Sequence, residues 1–155
     1  MRYLNLLLVI VLVLEIGNGC KQETIQSRIS DELGIYVTEE TVLSHEDDHG
    51  GFHGDGTLIA ALLISDEAAV GKIRESWKPL PLNDNLTRLN EKFRTGAEST
   101  LFPYVENGYY CFIDRHHEAI DPNDDSSVHS RCSYNFTFAI FDTDTNTLYY
   151  AEIDT

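Results

Sequence analysis

CSYNFTFAIFD (132–142), TDTN (143–146) and TLYYAEID (147–154) decide the fold of this chain. The first and third segments are rich in aromatic and β-branched residues, which favour strands. The four residues between them are polar and typical of a hairpin turn. We therefore expect two antiparallel strands at the C-terminus, joined by a tight turn.

Segments further upstream add strands and helices. GYYCFIDR (108–115) has the composition of a third strand, and TLIAALLI (57–64) predicts a buried one. Apolar residues recur at helical spacing in three places: Ile25, Ile29 and Leu33; Ala69, Val70, Ile73 and Trp77; and Leu86, Leu89 and Phe93. We predict a single globular α+β domain over 27–155, with an antiparallel sheet, a C-terminal strand meander and the helices packed on one face.

The N-terminus is typical of a secretory signal peptide. A basic residue, Arg2, precedes the apolar run Leu4–Leu14, and Gly17 and Gly19 lead to Cys20. The run is shorter than the roughly 20 apolar residues that a membrane-spanning helix needs. A small residue followed by Cys resembles the end of a bacterial lipoprotein signal, which implies lipidation (palmitate among the acyl chains) at Cys20.

These features predict the location of the protein. We expect a signal peptide over 1–19 and an anchor and tether over 20–26. The mature protein would face outwards from the cell membrane, held by its N-terminal lipid, because more than one acyl chain makes anchoring stable. The alternative is plain secretion, since Gly17 and Gly19 also suit ordinary signal cleavage.

The chain is strongly acidic, with a formal net charge of −15 over 155 residues. Nucleic acids and anionic headgroups require clustered Lys and Arg, so both are excluded as partners. High charge of one sign maintains solubility, and it also suits the binding of a cation.

Two cysteines remain after Cys20, namely Cys111 and Cys132. An even pair in an exported protein predicts a disulfide bond. Two free, buried thiols are the alternative, because such thiols behave as small hydrophobic residues.

The glycine-rich segment DDHGGFHGDG (47–56) is the densest candidate for a site. His49, His53 and Asp55 are residue types that bind zinc or another divalent metal, and His116 could join them from a later strand end. A glycine-rich turn between two strands explains the same residues without any ligand.

Two motifs in the chain are chance matches. His45–His49 spells the zinc-protease pattern HExxH, but the glycines that follow do not suit the helix this motif requires. Asp142, Asp144 and Asn146 copy the start of a calcium loop, but the later ligands are missing and a hairpin turn is expected.

The segments HGGFHGDG, GYYCFIDRH, NFTFAIFD and NTLYYAEIDT together resemble a group of small exported proteins of Gram-positive bacteria. The group has no established activity. The resemblance therefore implies an exported bacterial protein and assigns no catalytic residue.

No nucleophile elbow, phosphate loop or dinucleotide motif occurs in the chain, so we expect a binding domain rather than an enzyme. The first hypothesis is a lipid-anchored domain that binds a protein or small ligand at the cell surface. The alternatives are a metal-dependent hydrolase that uses His49, His53 and Asp55, and a protective or interaction protein of a mobile element.

Overall fold

A computed structural model describes residues 24–37, 42–50, 54–95 and 102–155. These residues form a single α+β domain, which confirms the predicted class. Its elements are α1 (Ile25–Leu33), β1 (Val42–Asp47), β2 (Gly56–Leu63), α2 (Glu67–Ser76), β3 (Lys78–Pro79), α3 (Asp84–Thr95), β4 (Gly108–Asp114), β5 (Asn135–Asp142) and β6 (Thr147–Asp154). In these ranges, no helix has the length and apolar character needed to cross a membrane.

The six strands form one antiparallel sheet in the order β1-β2-β6-β5-β4-β3. Strands β4, β5 and β6 are successive neighbours, so the predicted C-terminal meander is confirmed. The β5–β6 hairpin closes with Asp142 opposite Thr147. Asn146 in its turn has a φ of 52°, a left-handed conformation that Asn tolerates better than most residues.

The helices are divided between the two faces of the sheet, which corrects the expectation that they pack on one face. Helices α1 and α2 pack Ile29, Leu33 and Ile73 against one face, together with Tyr150 of β6. Helix α3 covers the opposite face, in the same apolar cluster as Phe138 of β5. The reason is that residues 136–141 of β5 are all buried, so both faces of the central strands must be covered.

The helix ends follow local capping rules. Thr24 and Ser27 form a capping box at the start of α1, and Gly34 ends the helix with a φ of 62°. The helix begins at Ile25, and the boundary predicted at residue 27 stays a prediction. Asp66 caps α2 by accepting a hydrogen bond from the Ala68 N–H.

Candidate functional site

His49, Asp55 and His116 lie at one end of the sheet, where β4 and β6 end and β2 and β5 begin. Asp154 pairs across the sheet with Gly56 on one side and Asn135 on the other. Asp114, the last residue of β4, pairs with Phe136. The β1–β2 turn and the long β4–β5 loop both leave the sheet here, because antiparallel neighbours turn at the same end.

A charged cluster of Arg28, His49, Arg115, Glu152 and Asp154 occupies this end beneath α1. Glu152 is almost fully buried, and its Oε1 accepts hydrogen bonds from Arg28 at 2.8 Å and from Arg115 at 2.7 Å. Arg115 also donates to Asp154 at 3.0 Å. Glu152 and Asp154 share a face because side chains two residues apart in a strand point the same way.

Glu152 stays ionised in this setting. Burial alone raises the pKa of its carboxyl group, but hydrogen bonds from Arg28 and Tyr150 and the charge of Arg115 outweigh burial. The net effect is a pKa below the ordinary value. The Tyr150 hydroxyl donates to Glu152 Oε2 at 2.8 Å, so both carboxylate oxygens are satisfied. The cluster therefore ties α1 to β6 and to the end of β4.

His49 belongs to this cluster. Its Nδ1 lies 2.7 Å from Asp47 Oδ1 and its Nε2 lies 3.3 Å from Asp154 Oδ2. A carboxylate only accepts hydrogen bonds, so both contacts form together only with the doubly protonated ring. Gly56 permits this approach, because a Cβ there would lie 2.5 Å from His49 Cα. A ring nitrogen that donates to a carboxylate is not free to bind a metal.

The other predicted metal ligands do not join His49 in the described residues. Asp55 is exposed, His116 lies in the β4–β5 loop, and His53 is outside the described residues. Within residues 24–37, 42–50, 54–95 and 102–155, no group of three His, Cys, Asp or Glu could hold a metal ion. The zinc or divalent-metal site stays a prediction. His45 lies in β1, so the HExxH pattern does not form a helix.

The β4–β5 loop forms an open hollow of about 700 Å³, here named the acidic hollow. Most of its lining is polar: Asp114, His116, His117, Glu118, Asp121, Asp124, Ser126, Ser127, Ser130, Arg131, Cys132 and Ser133 line it together with Ala119 and Ile120. Asp114 is paired with Arg131 at 2.5 Å. Glu118, Asp121 and Asp124 are exposed, which leaves the rim negatively charged.

His116 is the most buried histidine of the acidic hollow and contacts Ser133 at 3.1 Å through Nε2. This pair resembles a nucleophile and its base. However, Nδ1 accepts a hydrogen bond from the Glu118 N–H at 3.2 Å, so the neutral ring carries its proton on Nε2. The ring then donates to Ser133 and cannot take a proton from its hydroxyl group in this arrangement. The contact positions the loop.

The predicted disulfide bond is absent, because Cys111 and Cys132 are both free. Cys111 lies in β4 and packs against the cluster beneath α1 and α2, whereas Cys132 is exposed in the acidic hollow. Burial raises the pKa of the Cys111 thiol to about 11, so Cys111 matches the alternative of a buried thiol that acts as a small hydrophobic residue.

No protein-family model, curated protein or solved structure matches this chain. The assignment of the site therefore depends on its geometry alone.

The sequence did not lead us to three residues of the charged cluster, Arg28, Arg115 and Glu152. The signal in the sequence was Glu152 in the strand TLYYAEID, because a carboxylate on a buried face of a strand needs a charged partner.

Proposed function

We propose that this protein is an outward-facing, lipid-anchored domain that binds a cationic partner segment in the acidic hollow. The observation that supports the proposal is the set of exposed carboxylates around an open hollow of about 700 Å³. Hollows of this volume fall within the range of about 300–1,000 Å³ that is usual for ligand sites. The chain's net charge of −15 also attracts cations from a distance.

The carboxylates of the hollow are suited to a cationic partner. Hydrogen bonds from the backbone N–H and the hydroxyl group of Ser126 lower the pKa of Asp124, so this group stays charged in mildly acidic surroundings. Asp121 accepts a hydrogen bond from the Asn123 N–H, which fixes the direction of its carboxylate. Ile120 is fully exposed on the same loop and offers an apolar contact beside the charges.

We rank catalysis below binding. In the hollow, His116 Nδ1 accepts from the Glu118 N–H, so Nε2 acts as a donor to Ser133 and not as a base for its hydroxyl group. A metal-dependent hydrolase built on His49, His53 and Asp55 is also ranked lower, since both ring nitrogens of His49 face carboxylates. A protective protein of a mobile element would use the acidic hollow in the same way, by covering a cationic surface of its partner.

The binding proposal predicts a selective effect of three substitutions. Each exposed charge pair contributes about 0.5 kcal/mol, so Glu118→Gln, Asp121→Asn and Asp124→Asn together should weaken binding by about tenfold. The probe is a tri-lysine peptide, and calorimetric titration of the full chain at low and moderate salt measures its affinity. The Asp→Asn changes keep one oxygen at each position to accept from the backbone N–H groups of Asn123 and Ser126, although Asp124→Asn loses the second acceptor that the Ser126 hydroxyl group uses.

A control variant carries the same change of net charge at residues that do not line the hollow. It combines Asp31→Asn, Glu67→Gln and Glu75→Gln, all exposed on α1 and α2. Its affinity for tri-lysine should change by less than about twofold. Equal weakening in the two triple variants would show diffuse charge attraction and contradict a site in the acidic hollow.

The proposed anchor is tested separately. Cys20 and the residues before it lie outside the described residues, so support for the anchor comes from the sequence. In a lipoprotein-competent host, Cys20→Ala should move the protein from the membrane fraction to the soluble or secreted fraction. Cys132→Ala serves as the matched control and should leave the protein in the membrane fraction. Membrane attachment that survives Cys20→Ala would argue against the lipid anchor.

A further inference from the structure

Strand β1 lies at one edge of the sheet, and no strand lies beyond it among the described residues. It spans Val42–Asp47 and pairs with β2 alone, whereas the strand at the opposite edge, β3, covers only Lys78–Pro79. An edge strand presents backbone N–H and C=O groups to any extended chain that reaches it. Such a chain can add to the sheet as a further strand. The β1 edge is therefore the longer surface for a partner strand.

The register of β1 shows which of its backbone groups face outwards. The Asp48 N–H donates to the Thr57 carbonyl oxygen at 3.1 Å, so these two residues form a hydrogen-bonded pair. Such pairs alternate along an antiparallel ladder, and Glu46 is the next residue of β1 that bonds to β2. The N–H and C=O groups of His45 and Asp47 therefore point away from β2, towards the open edge.

The side chains beside this edge select the chemistry of the partner. A hollow of about 120 Å³ is lined by Glu46, Asp47, Asp48, Thr57 and Ile59. The three acidic residues are exposed, and Ile59 is buried. A lysine side chain suits this combination, because its methylene groups pack on apolar surface while its ammonium group stays near the carboxylates.

A second copy of this chain is a poorer occupant of the edge. Each copy carries a net charge of −15 and the same carboxylates along β1, so pairing of two copies is opposed by charge repulsion. Leu43 is 60% exposed where the register of β1 shifts between Val42 and Ser44. It offers an apolar contact to an uncharged side chain of the partner strand.

We propose that the β1 edge binds an extended cationic segment of a partner protein, which adds to the sheet as a further strand. The backbone groups of His45 and Asp47 hydrogen-bond the segment, and a lysine of the segment lies beside Glu46 and Asp48. This surface is separate from the acidic hollow, because β2, β6 and β5 lie between β1 and β4. The proposal does not rest on the function proposed for that hollow.

The test uses a peptide and two N-methylated forms of it, titrated into the isotope-labelled full chain and followed by NMR. The parent peptide is acetyl-TKVKVT-amide. One form is methylated on the amide nitrogens of both lysines and the other on those of both valines, so the charge is unchanged. Only alternate N–H groups of an added strand face β1. We expect one methylated form to bind about tenfold more weakly than the parent and the other to bind within about threefold of it. The shifts should centre on the amides of residues 43–48.

Two substitutions at one position provide matched variants of the chain. His45→Pro removes an outward N–H group and keeps the bonds between β1 and β2, because proline is tolerated in an edge strand where its nitrogen faces outwards. It should weaken the parent peptide by about tenfold. His45→Thr retains the N–H group and should bind the peptide within about twofold of the natural protein. Glu46→Gln removes one exposed charge and should weaken binding by about twofold.

Further controls separate this surface from the acidic hollow and from self-association. The triple variant of the acidic hollow should bind the parent peptide within about twofold of the natural protein. If His45→Pro fails to fold, the methylated peptides on the natural protein still decide the outcome. No binding at millimolar concentration, equal affinity of all three peptides, equal weakening by both methylations, or shifts confined to the β4–β5 loop would each overturn the proposal. A chain that is dimeric alone and monomeric as His45→Pro would assign the edge to a second copy and overturn it as well.

Discussion

Replacing Glu152 with alanine should lower the free energy of unfolding by about 3 kcal/mol. The substitution leaves Arg28, Arg115 and the Tyr150 hydroxyl group without the acceptor that they share. Removing one partner of a buried ion pair costs about 3–5 kcal/mol. We expect the lower end of this range, because the side chains of Arg28 and Arg115 are 28% and 27% exposed and regain part of their hydration.

Urea denaturation followed by circular dichroism measures this change. Glu118→Ala is the matched control: its side chain is 68% exposed, and its removal should cost less than about 0.5 kcal/mol. Glu152→Gln should fall between the two, since an amide oxygen still accepts hydrogen bonds but carries no charge. If Glu152→Ala and Glu118→Ala cost the same, the charged cluster does not stabilise the fold.

The same cluster predicts how stability depends on pH. The pKa of Glu152 in the folded protein is lowered from its ordinary value of 4.5. Its contribution is therefore complete above about pH 4.5 and is lost as the pH falls through the lower folded value. The pKa of Asp47 is also lowered: burial opposes ionisation, but hydrogen bonds from the His49 side chain and backbone outweigh it. Glu152→Gln should therefore reduce, and not abolish, the loss of stability in acid.

Replacing Phe138 with alanine should cost about 4 kcal/mol of unfolding free energy. Phe138 is fully buried in β5, and its ring stacks with Phe93 at 6.3 Å and with Phe102 at 5.9 Å between ring centres. The substitution opens a cavity between the sheet and α3 in addition to losing apolar burial. Surrounding side chains fill such a cavity only in part, so the cost exceeds that of transfer alone.

Two control variants separate the cavity from a general effect of substitution. Phe138→Leu retains most of the buried volume and should cost clearly less than Phe138→Ala. Tyr36→Ala removes an aromatic ring that is 68% exposed and should change stability by less than about 1 kcal/mol. Thermal and urea unfolding measure all three. A cost for Phe138→Ala below that of Phe138→Leu would contradict the packing of α3 on this face.

Local patterns of sequence were enough to predict most of the elements. The β5–β6 hairpin follows from two strand-forming segments around TDTN, and the three helices follow from apolar residues three and four apart. The end of α1 follows from Gly34, whose left-handed φ is unfavourable for other residues. These features depend on residues that are neighbours in the chain, so periodicity and turn chemistry report them directly.

Short-range patterns did not predict which face of the sheet each helix covers. Residues 136–141 of β5 are apolar or enclosed throughout, so no alternation marks which face is covered. A strand buried on both faces gives the same pattern wherever the helices lie. The disulfide prediction failed for a related reason: Cys111 packs towards α1 and α2, and sequence separation does not show the direction of a side chain.

The amino-acid sequence by itself determined the class of fold, the hairpin, the helices and the acidity of the chain, because each is a property of composition or short-range spacing. Only the tertiary structure decided the charged cluster and the acidic hollow. Glu152 contacts Arg28 across 124 positions of sequence, and the contact depends on β6 lying between β2 and β5 under α1. Such contacts are set by the order of strands in the sheet, which no local pattern encodes.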